Sequence, residues 1–272
     1  MADNLNVYVS SAGSGQPLIL LHGFMGSTHT WDAHVPALSP YYRVITLDLP
    51  GHGATDSPDD VAHYSMARCM DILWSVFEYL KLDKAHLLGY SMGGRVALSF
   101  AASHPERIDT LILESASPGL ADAAERESRA AADNGLADTI DRDGLDRFVD
   151  YWECLPLFAS QKLLPESVRA DLRTQRLKNN PRGLANSLRG MGTGVQPSLW
   201  DALASLDFPT LLIVGELDTK YTDIAKQMVK RLPAAKVALF KGAGHTVHLE
   251  RPEAFDKRVL EFLRDFSTIA SD

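Results

Sequence analysis

Short apolar segments alternate with longer amphipathic segments along most of the chain. The apolar segments are not interrupted by polar residues at every second position, which is typical of strands covered on both faces. Six of these segments predict strands, at 17–21, 43–47, 85–88, 110–113, 209–214 and 236–240. Helical periodicity predicts helices at 65–80, 92–103, 222–231 and 252–266. Strands separated by helices indicate βαβ units, and therefore an α/β fold with a mostly parallel central sheet flanked by helices.

This alternation stops after Glu114. From about residue 117 to residue 203 the sequence contains helical fragments rich in Ala, Asp and Arg, but no convincing strand. Ligands of doubly wound sheets bind outside the carboxyl ends of the strands, so an insertion leaving from such an end would cover the site. We therefore expect residues 117–204 to form a helical cap, inserted into a core domain made of residues 1–116 and 205–272.

Composition narrows the class of protein further. Hydrophobic residues make up 45% of the 272 positions and charged residues 23%, as in a globular protein. Because the chain lacks an eighteen-residue apolar run and a signal-peptide pattern, and has only two cysteines, we expect a cytoplasmic protein without a membrane span. The net charge of −8 argues against nonspecific nucleic-acid binding. We expect neither a cofactor nor a metal ion, and a monomer or a small homo-oligomer.

The segment GYSMG at 89–93 matches the pattern G-x-S-x-G, and it lies between a predicted strand and a predicted helix. In that context the serine occupies a sharp turn that exposes its hydroxyl at the end of the sheet, and the glycines prevent clashes. A chance turn is the less favoured alternative. Ser91 is thus predicted to be a nucleophile or base. Such a serine needs a histidine to accept its proton and a carboxylate to orient the imidazole.

Two later loops, each just beyond a predicted strand, supply these partners. The chain order Ser, acid, His that accompanies this motif favours Asp218 in GELD and His245 in GAGH. Glu114 and Glu216 remain alternative acids. Three other histidines are interpreted as residues at a helix edge, at a strand edge or on the surface: His248, His86 and His104.

An oxyanion hole needs backbone N–H groups that point at developing negative charge. Met92, directly after the serine, is expected to supply one of them. Phe24, in the early loop HGFMGS, is expected to supply the other. The glycine-rich segment DLPGHG is interpreted as structural, and its Asp48 is not favoured as a catalytic acid.

Arg95 lies one helical turn beyond Ser91, where packed apolar core is usual. A buried guanidinium is costly unless it is paired. It therefore forms either a structural salt bridge with a core carboxylate or a bidentate contact with a substrate carboxylate. Residues 153–200 contain seven basic and three acidic side chains. A cationic lid above the serine favours a small substrate with several carboxylates.

The motifs LLHGF, DLPGHG, GYSMG, GELD and GAGH, in this order, resemble the α/β-hydrolase superfamily. The segments LHGFMGS, GYSMGGR, ESASPG, LPLFASQ, QRLKNN, GTGVQPSLW and GELDTKY more closely resemble the 2-succinyl-6-hydroxy-2,4-cyclohexadiene-1-carboxylate synthase family of menaquinone biosynthesis. This resemblance extends from about Leu18 to the end of the chain and includes the cap. It implies five substrate-binding residues: Tyr90, Arg95, Arg129, Trp152 and Arg176. The choice of Arg129 depends on an ungapped helix, because Arg126 lies one turn away.

The resemblance implies a lyase that eliminates pyruvate from 2-succinyl-5-enolpyruvyl-6-hydroxy-3-cyclohexene-1-carboxylate, a substrate with three carboxylates. Ser91, its proton drawn off by His245, would be the base, and no acyl-enzyme would form. Two alternatives use the same triad. One is a serine esterase or C–C bond hydrolase of a small carboxylate-bearing substrate, and the other is a ligand-binding receptor that retains the triad. Arg95 and the basic cap favour the lyase over an enzyme of neutral esters. An exposed apolar patch on the cap would favour the receptor, and turnover would argue against it.

Overall fold

A computed structural model describes residues 5–266 of the chain. Seven strands form one sheet: β1 Val9–Ala12, β2 Pro17–Leu21, β3 Arg43–Leu47, β4 Ala85–Tyr90, β5 Ile108–Glu114, β6 Thr210–Gly215 and β7 Ala235–Phe240. Their order across the sheet is β1-β3-β2-β4-β5-β6-β7. Only β1 runs antiparallel to its neighbour, so the predicted mostly parallel sheet is confirmed.

The strand β1 is the element that the sequence pattern does not predict. Its sequence is VSSA, and its two serines are exposed. It pairs with β3 at the edge of the sheet, from Val9 opposite Leu47 to Ala12 opposite Val44. An edge strand with one covered face has no apolar run, which is why hydrophobic patterning misses it.

Helices cover both faces of the sheet. They are α1 Val35–Leu38, α2 Met66–Leu80, α3 Met92–Ser103, α8 Thr219–Met228, α9 Val247–Glu250 and α10 Pro252–Arg264. Alternate side chains of β2 divide between two apolar clusters. Ile19 and Leu21 pack with α2, α3 and α8, whereas Leu18 and Leu20 pack with α1, α9 and α10. The core is therefore two layers of apolar side chains, one on each face.

The start of α8 differs from the prediction because Asp218 caps it. The helix begins at Thr219 rather than at residue 222, and its N-cap side chain accepts a hydrogen bond from the N–H of Tyr221. A short acid at the N-cap satisfies a backbone donor that would otherwise lack a partner. The same residue is the predicted catalytic acid, so the cap also fixes the carboxylate in place.

Between β5 and β6 the chain forms four helices: α4 Ala123–Asp143, α5 Leu145–Glu153, α6 Glu166–Leu177 and α7 Pro181–Met191. A 3-10 segment, Pro156–Leu163, connects α5 to α6. These helices share a small apolar cluster that includes Phe148 and Leu184, and Met25 from the loop after β2 packs into it. The insertion therefore lies at the carboxyl ends of the strands. No helix within residues 5–266 is long and apolar enough to cross a membrane.

Candidate active site

Ser91 occupies the turn between β4 and α3 with a φ of 51°. This left-handed conformation is unfavourable for a residue with a side chain. Gly89 and Gly93 permit the turn, because a Cβ at Gly89 would collide with the backbone of Gly93, and one at Gly93 with the backbone of Leu21. The N–H of Ser91 donates to the carbonyl of Glu114 over 2.8 Å. The strained turn thus holds the hydroxyl at the carboxyl end of β4.

The structure brings together the three residues predicted to act as a triad. His245 Nε2 lies 3.0 Å from Ser91 Oγ. His245 Nδ1 lies 2.6 Å from Asp218 Oδ2. Both His245 and Asp218 are buried. An ionised Asp218 only accepts hydrogen bonds, so Nδ1 carries the proton and Nε2 is left to accept one from the serine.

Neither alternative acid contacts His245. Glu114 is fully buried at the end of β5 and accepts a hydrogen bond from Nδ1 of His248 over 2.8 Å. Glu216 accepts a hydrogen bond from the N–H of Gly242 over 3.0 Å near the surface. The geometry therefore favours Asp218 as the partner of the histidine beside the serine.

Met92 and Phe24, the two residues expected to form the oxyanion hole, line the same cavity as Ser91. Met92 is the first residue of α3, and Phe24 lies in the loop after β2. Among residues 5–266, neither N–H donates to another protein group. The side chain of His22 braces the Phe24 loop, because its Nδ1 donates to the Gly23 carbonyl over 2.8 Å and its Nε2 accepts from the N–H of Leu49 over 3.0 Å. Burial lowers the pKa of His22, which keeps it in the neutral form that this pattern requires.

His86 differs from its interpretation as a surface or strand-edge residue. It lies in β4, at the centre of the sheet, and is fully buried. Its Nδ1 lies 3.0 Å from the hydroxyl of Thr110 on β5. Burial lowers its pKa, so a neutral imidazole fits this position. His86 is therefore a core residue and has no contact with the triad.

A cavity of about 310 Å³ opens above Ser91. Three cationic side chains line it, from the core helix α3, from the insertion and from the start of α8: Arg95, Arg129 and Lys220. Asp133 is its one acidic lining residue. Five aromatic side chains complete the wall: Phe24, Tyr90, Trp152, Phe158 and Tyr221. The cavity therefore combines an apolar surface with an excess of positive charge.

Arg95 is buried without a carboxylate partner. Its Nη1 donates to the Met191 carbonyl over 2.8 Å and to Oε1 of Gln196 over 3.2 Å. No ion pair of Arg95 exists among residues 5–266, so the structural salt bridge is absent from this part of the chain. Burial lowers the pKa of the guanidinium, and the charges of Tyr221 and Asp133 oppose this shift. An unpaired buried cation at a cavity wall is suited to bind an anion.

The first half of the insertion places two of the predicted binding residues at this cavity. Arg129 lines it and forms a hydrogen bond of 2.8 Å from Nε to Oδ1 of the buried Asp133. Trp152 also lines it. Arg126, one turn before Arg129, instead donates to the carbonyls of Leu120 and Ala121. The structure thus selects Arg129, rather than Arg126, as the arginine at the cavity.

Arg176 lies outside the cavity above Ser91. It lines a neighbouring cavity of about 620 Å³, and four aromatic residues border both: Phe24, Tyr90, Trp152 and Phe158. Its guanidinium contacts Glu153 over 3.1 Å and Gln161 over 3.2 Å, and lies 5.6 Å from the centre of the Phe158 ring. The guanidinium of Arg176, a predicted substrate-binding residue, therefore already forms hydrogen bonds with protein groups. Only its position at the second cavity agrees with a role in binding substrate.

The charge of the insertion also differs from the expectation of a cationic lid. Residues 117–204 contain thirteen acidic and eleven basic side chains, so the excess of positive charge is confined to the second half. Several of those bases form ion pairs at the surface. Arg173 pairs with Asp150 and Glu153, and Arg189 pairs with Asp138 and Asp141. The positive charge at the site therefore comes from a few buried or lining residues, not from the lid as a whole.

Lys220 and Tyr221 are cavity residues that the sequence analysis did not single out. They lie two and three residues after Asp218, in the first turn of α8. Their signal was present in the segment GELDTKY, because side chains just beyond a strand end face the same site as the acid. Burial raises the pKa of Tyr221, while the Arg95 charge opposes this shift.

The family follows from a match to known proteins that agrees with this geometry. The family model described as the alpha/beta hydrolase fold matches residues 16–252. The chain therefore belongs to the α/β-hydrolase fold family.

Three proteins of known name are similar to this chain over nearly its whole length. A protein of Bacillus subtilis (strain 168), described as a putative 2-succinyl-6-hydroxy-2,4-cyclohexadiene-1-carboxylate synthase, is 47% identical over 97% of this chain and 96% of its own length. The structure of MenH from S. aureus superimposes with a TM-score of 0.91 and 39% identity, over 95% of this chain and 98% of that one. A malate-bound thermophilic esterase from Thermogutta terrifontis gives a TM-score of 0.84 and 28% identity, over 97% and 95% of the two chains.

Proposed function

We propose that this chain is a 2-succinyl-6-hydroxy-2,4-cyclohexadiene-1-carboxylate synthase, a lyase that eliminates pyruvate in menaquinone biosynthesis. The observation that carries the proposal is the buried Arg95, which has no carboxylate partner among residues 5–266 and lines the cavity above Ser91. An enzyme of neutral esters has no need of this cation. The 47% identity to the Bacillus subtilis protein over nearly the whole chain agrees with the same reaction.

The substrate's charge matches the charge of the cavity. The substrate carries a ring carboxylate, a succinyl carboxylate and an enolpyruvyl carboxylate, whereas the cavity has three cationic lining residues and one acidic one. Arg95 offers a planar fork to one carboxylate, and this contact is strong because both partners are charged and their hydrogen-bonding geometries match. Arg129 and Lys220 add positive charge to the cavity wall, and Trp152 provides apolar surface for the ring.

The reaction begins with removal of the proton beside the succinyl ketone. His245, oriented by Asp218, draws the proton from Ser91 Oγ, and the serine oxygen takes the substrate proton. The ketone oxygen becomes negative as this C–H bond breaks. The N–H groups of Phe24 and Met92 stabilise that charge.

Expulsion of pyruvate completes the elimination. The electron pair left on the ring carbon forms a double bond to the next ring carbon, and the existing ring double bond shifts by one position. The ring carbon–oxygen bond then breaks, and the enolpyruvate leaves. His245 returns the proton it holds to this enolpyruvate, which becomes pyruvate, and Ser91 retains the substrate proton as its hydroxyl. The serine regains its starting state without forming an acyl-enzyme.

Pyruvate is the product that separates this lyase from the esterase alternative. The purified protein is given the enolpyruvyl substrate, pyruvate is measured with lactate dehydrogenase and NADH, and the conjugated diene is followed by its ultraviolet absorbance. We expect one pyruvate per diene formed. Rapid hydrolysis of p-nitrophenyl esters together with no pyruvate would overturn the proposal in favour of a serine esterase.

A further inference from the structure

A chain of hydrogen bonds connects the insertion to the residues that flank the serine and the histidine. Arg176 Nη2 donates to Gln161 Oε1 over 3.2 Å, and Gln161 Nε2 donates to Thr246 Oγ1 over 2.9 Å. The Thr246 hydroxyl lies 2.8 Å from the hydroxyl of Tyr90. All four side chains are buried. Tyr90 directly precedes Ser91, and Thr246 directly follows the histidine of the triad.

The guanidinium fixes the direction of the first two hydrogen bonds in this chain. A guanidinium has no acceptor atom, so it must face the oxygen of the Gln161 amide rather than its nitrogen. The amide nitrogen therefore faces Thr246, whose oxygen accepts. The Thr246 hydroxyl has one proton and a second lone pair, so either hydroxyl can be the donor in its contact with Tyr90, its other side-chain partner within residues 5–266. When the threonine is the donor, its proton goes to the tyrosine oxygen.

This direction leaves the Tyr90 proton without a protein acceptor. Tyr90 lines the cavity above Ser91, and its side chain is almost fully buried. The proton is therefore available for an oxygen atom of a molecule in the cavity. Burial raises the pKa of Tyr90, with the charge of Glu114 acting in the same direction, so the phenol keeps this proton.

Arg176 is fixed at the other end of the chain. Its Nη1 donates to Glu153 over 3.1 Å, and its guanidinium lies over the Phe158 ring. This accounts for a buried arginine beyond the aromatic wall of the Ser91 cavity. Its charge sets the orientation of the Gln161 amide, and it does so without reaching the reacting atoms.

We propose that Gln161 and Thr246 are positioning residues that transmit the orientation imposed by Arg176 to the Tyr90 hydroxyl and direct its proton into the cavity beside Ser91. This inference rests on the proposed function for its substrate. It assigns the insertion a part in catalysis as well as in covering the site. Tyr90 then donates to a developing oxyanion or to the leaving group, whereas Gln161 and Thr246 act only through it.

A double-mutant cycle tests whether the chain acts through the tyrosine. Removing one preorganised donor costs about 10²–10³-fold in kcat, and we expect about a 100-fold loss for Tyr90→Phe. Thr246→Val and Gln161→Met leave the tyrosine in place but unoriented, so we expect a loss of about tenfold in kcat with little change in KM. Thr246→Ser keeps the hydroxyl and should recover most of the loss. In a Tyr90→Phe background, Thr246→Val should add nothing.

Controls distinguish a loss of Tyr90 orientation from a loss of stability, and a failure of this inference from a failure of the proposed function. Ser160→Ala removes a neighbouring contact, 3.0 Å from Glu250, that lies outside the chain, and should keep kcat and Tm unchanged. A tenfold loss that persists in the Tyr90→Phe background, or near-normal kcat for both Thr246→Val and Gln161→Met, would overturn the inference. If the unaltered protein releases no pyruvate, the proposed function fails, and the same cycle is run on p-nitrophenyl ester hydrolysis, because Tyr90 lines the Ser91 cavity in either reaction.

Discussion

Two buried histidines, three residues apart in the chain, each pair with a carboxylate. In the described part of the chain, only one of them, His245, also forms a hydrogen bond with a serine. His245 Nδ1 is 2.6 Å from Asp218, and His248 Nδ1 is 2.8 Å from Glu114. The two distances do not distinguish the pairs. The difference lies at the other ring nitrogen. Nε2 of His245 is 3.0 Å from Ser91 Oγ, whereas no residue within 5–266 forms a hydrogen bond with Nε2 of His248.

The surroundings of the second pair indicate a structural role. The His248 ring packs among four other rings with centroids 4.7–6.0 Å away: Trp31, His34, Tyr90 and Phe255. The backbone N–H of His248 also donates to Glu114 over 3.0 Å. This pair therefore fastens the short helix α9 to the end of β5. A histidine–carboxylate pair becomes catalytic only where a strained turn brings a nucleophile to the free nitrogen.

The largest effects should follow removal of the serine or of its histidine. Because proton transfer depends on both residues acting together, we expect Ser91→Ala and His245→Ala each to lower kcat by on the order of 10³–10⁴-fold. The double variant should be little worse than either single one. Pyruvate release measures kcat, and thermal unfolding should show that both variants remain folded. Additive losses would contradict a unit of interacting residues.

His248→Ala should show the opposite pattern. Removing this imidazole leaves Glu114 buried without a cationic or N–H side-chain partner, and breaking a buried pair costs about 3–5 kcal/mol in the free energy of unfolding. Urea unfolding measures this loss, and kcat is measured at low temperature where the variant is folded. We expect kcat to stay within a few-fold of the unaltered protein. A collapse of kcat without a loss of stability would transfer the catalytic role to the second pair.

Arg95→Ala tests whether the positive charge beside the serine binds substrate. Loss of a charge-assisted contact to a carboxylate should cost about 2–4 kcal/mol in kcat/KM. Arg95→Lys should recover only part of this, because an ammonium does not reproduce the planar fork. Tm should not fall, since the partners of Arg95 within residues 5–266 are neutral and no carboxylate is left unpaired. A large fall in Tm with near-normal kcat/KM would make the arginine structural.

Gln196→Glu provides a matched variant for Arg95. Gln196 is fully buried, and its Oε1 lies 3.2 Å from Arg95 Nη1. A carboxylate at this position would neutralise the guanidinium and compete with the substrate for it. We expect KM to rise and stability to be retained. An unchanged KM would show that the free charge of Arg95 does not contribute to binding.

The smallest effect concerns a histidine that belongs to neither pair. His52 is buried behind the Phe24 ring, and burial lowers its pKa from 6.5 to about 3. The unfolded chain therefore takes up a proton below pH 6.5 that the folded chain refuses until about pH 3. The stabilising contribution is complete above pH 6.5 and is lost progressively as the pH falls towards 3.

His52→Leu removes this titration. Between pH 6 and pH 4, the slope of the unfolding free energy against pH should decrease by about one proton, or about 1.4 kcal/mol per pH unit. Urea unfolding at several pH values measures the slope. The pKa values of His22 and His86 are also lowered by burial, so these two residues still contribute to the slope in the variant. An identical slope in the variant would show that His52 is not held neutral.

Much of the fold was accessible from the sequence, because the central strands are covered on both faces and appear as apolar runs. The same property located the site, since Asp218 and His245 each follow such a run. A strand that is not covered on both faces has no apolar run, and the sequence pattern does not predict it. Hydrophobic patterning misses the exposed edge strand β1. It also suggests a surface or strand-edge position for His86, which is buried in β4 at the centre of the sheet.

The sequence pattern does not predict hydrogen bonds between side chains that are far apart in the chain. Glu114 and His248 are 134 residues apart, and nothing local links them. Similarly, the resemblance identified Arg176 but not its contacts, because Glu153 and Gln161 approach it only once the insertion has folded. The excess of basic residues in 153–200 does not reveal which side chains face the cavity. Several of these residues form ion pairs at the surface instead.

The most direct test of this account compares the two carboxylates by one assay. Asp218→Asn and Glu114→Gln are each nearly isosteric, and both are assayed for pyruvate release and for Tm. Because an amide at Asp218 permits the wrong tautomer of the histidine, we predict a loss of kcat on the order of 10³–10⁴-fold with little change in Tm. For Glu114→Gln we predict a lower Tm and a kcat within about threefold of the unaltered protein. A crippled Glu114→Gln beside a nearly normal Asp218→Asn would contradict the account, because it would make the second pair the catalytic one.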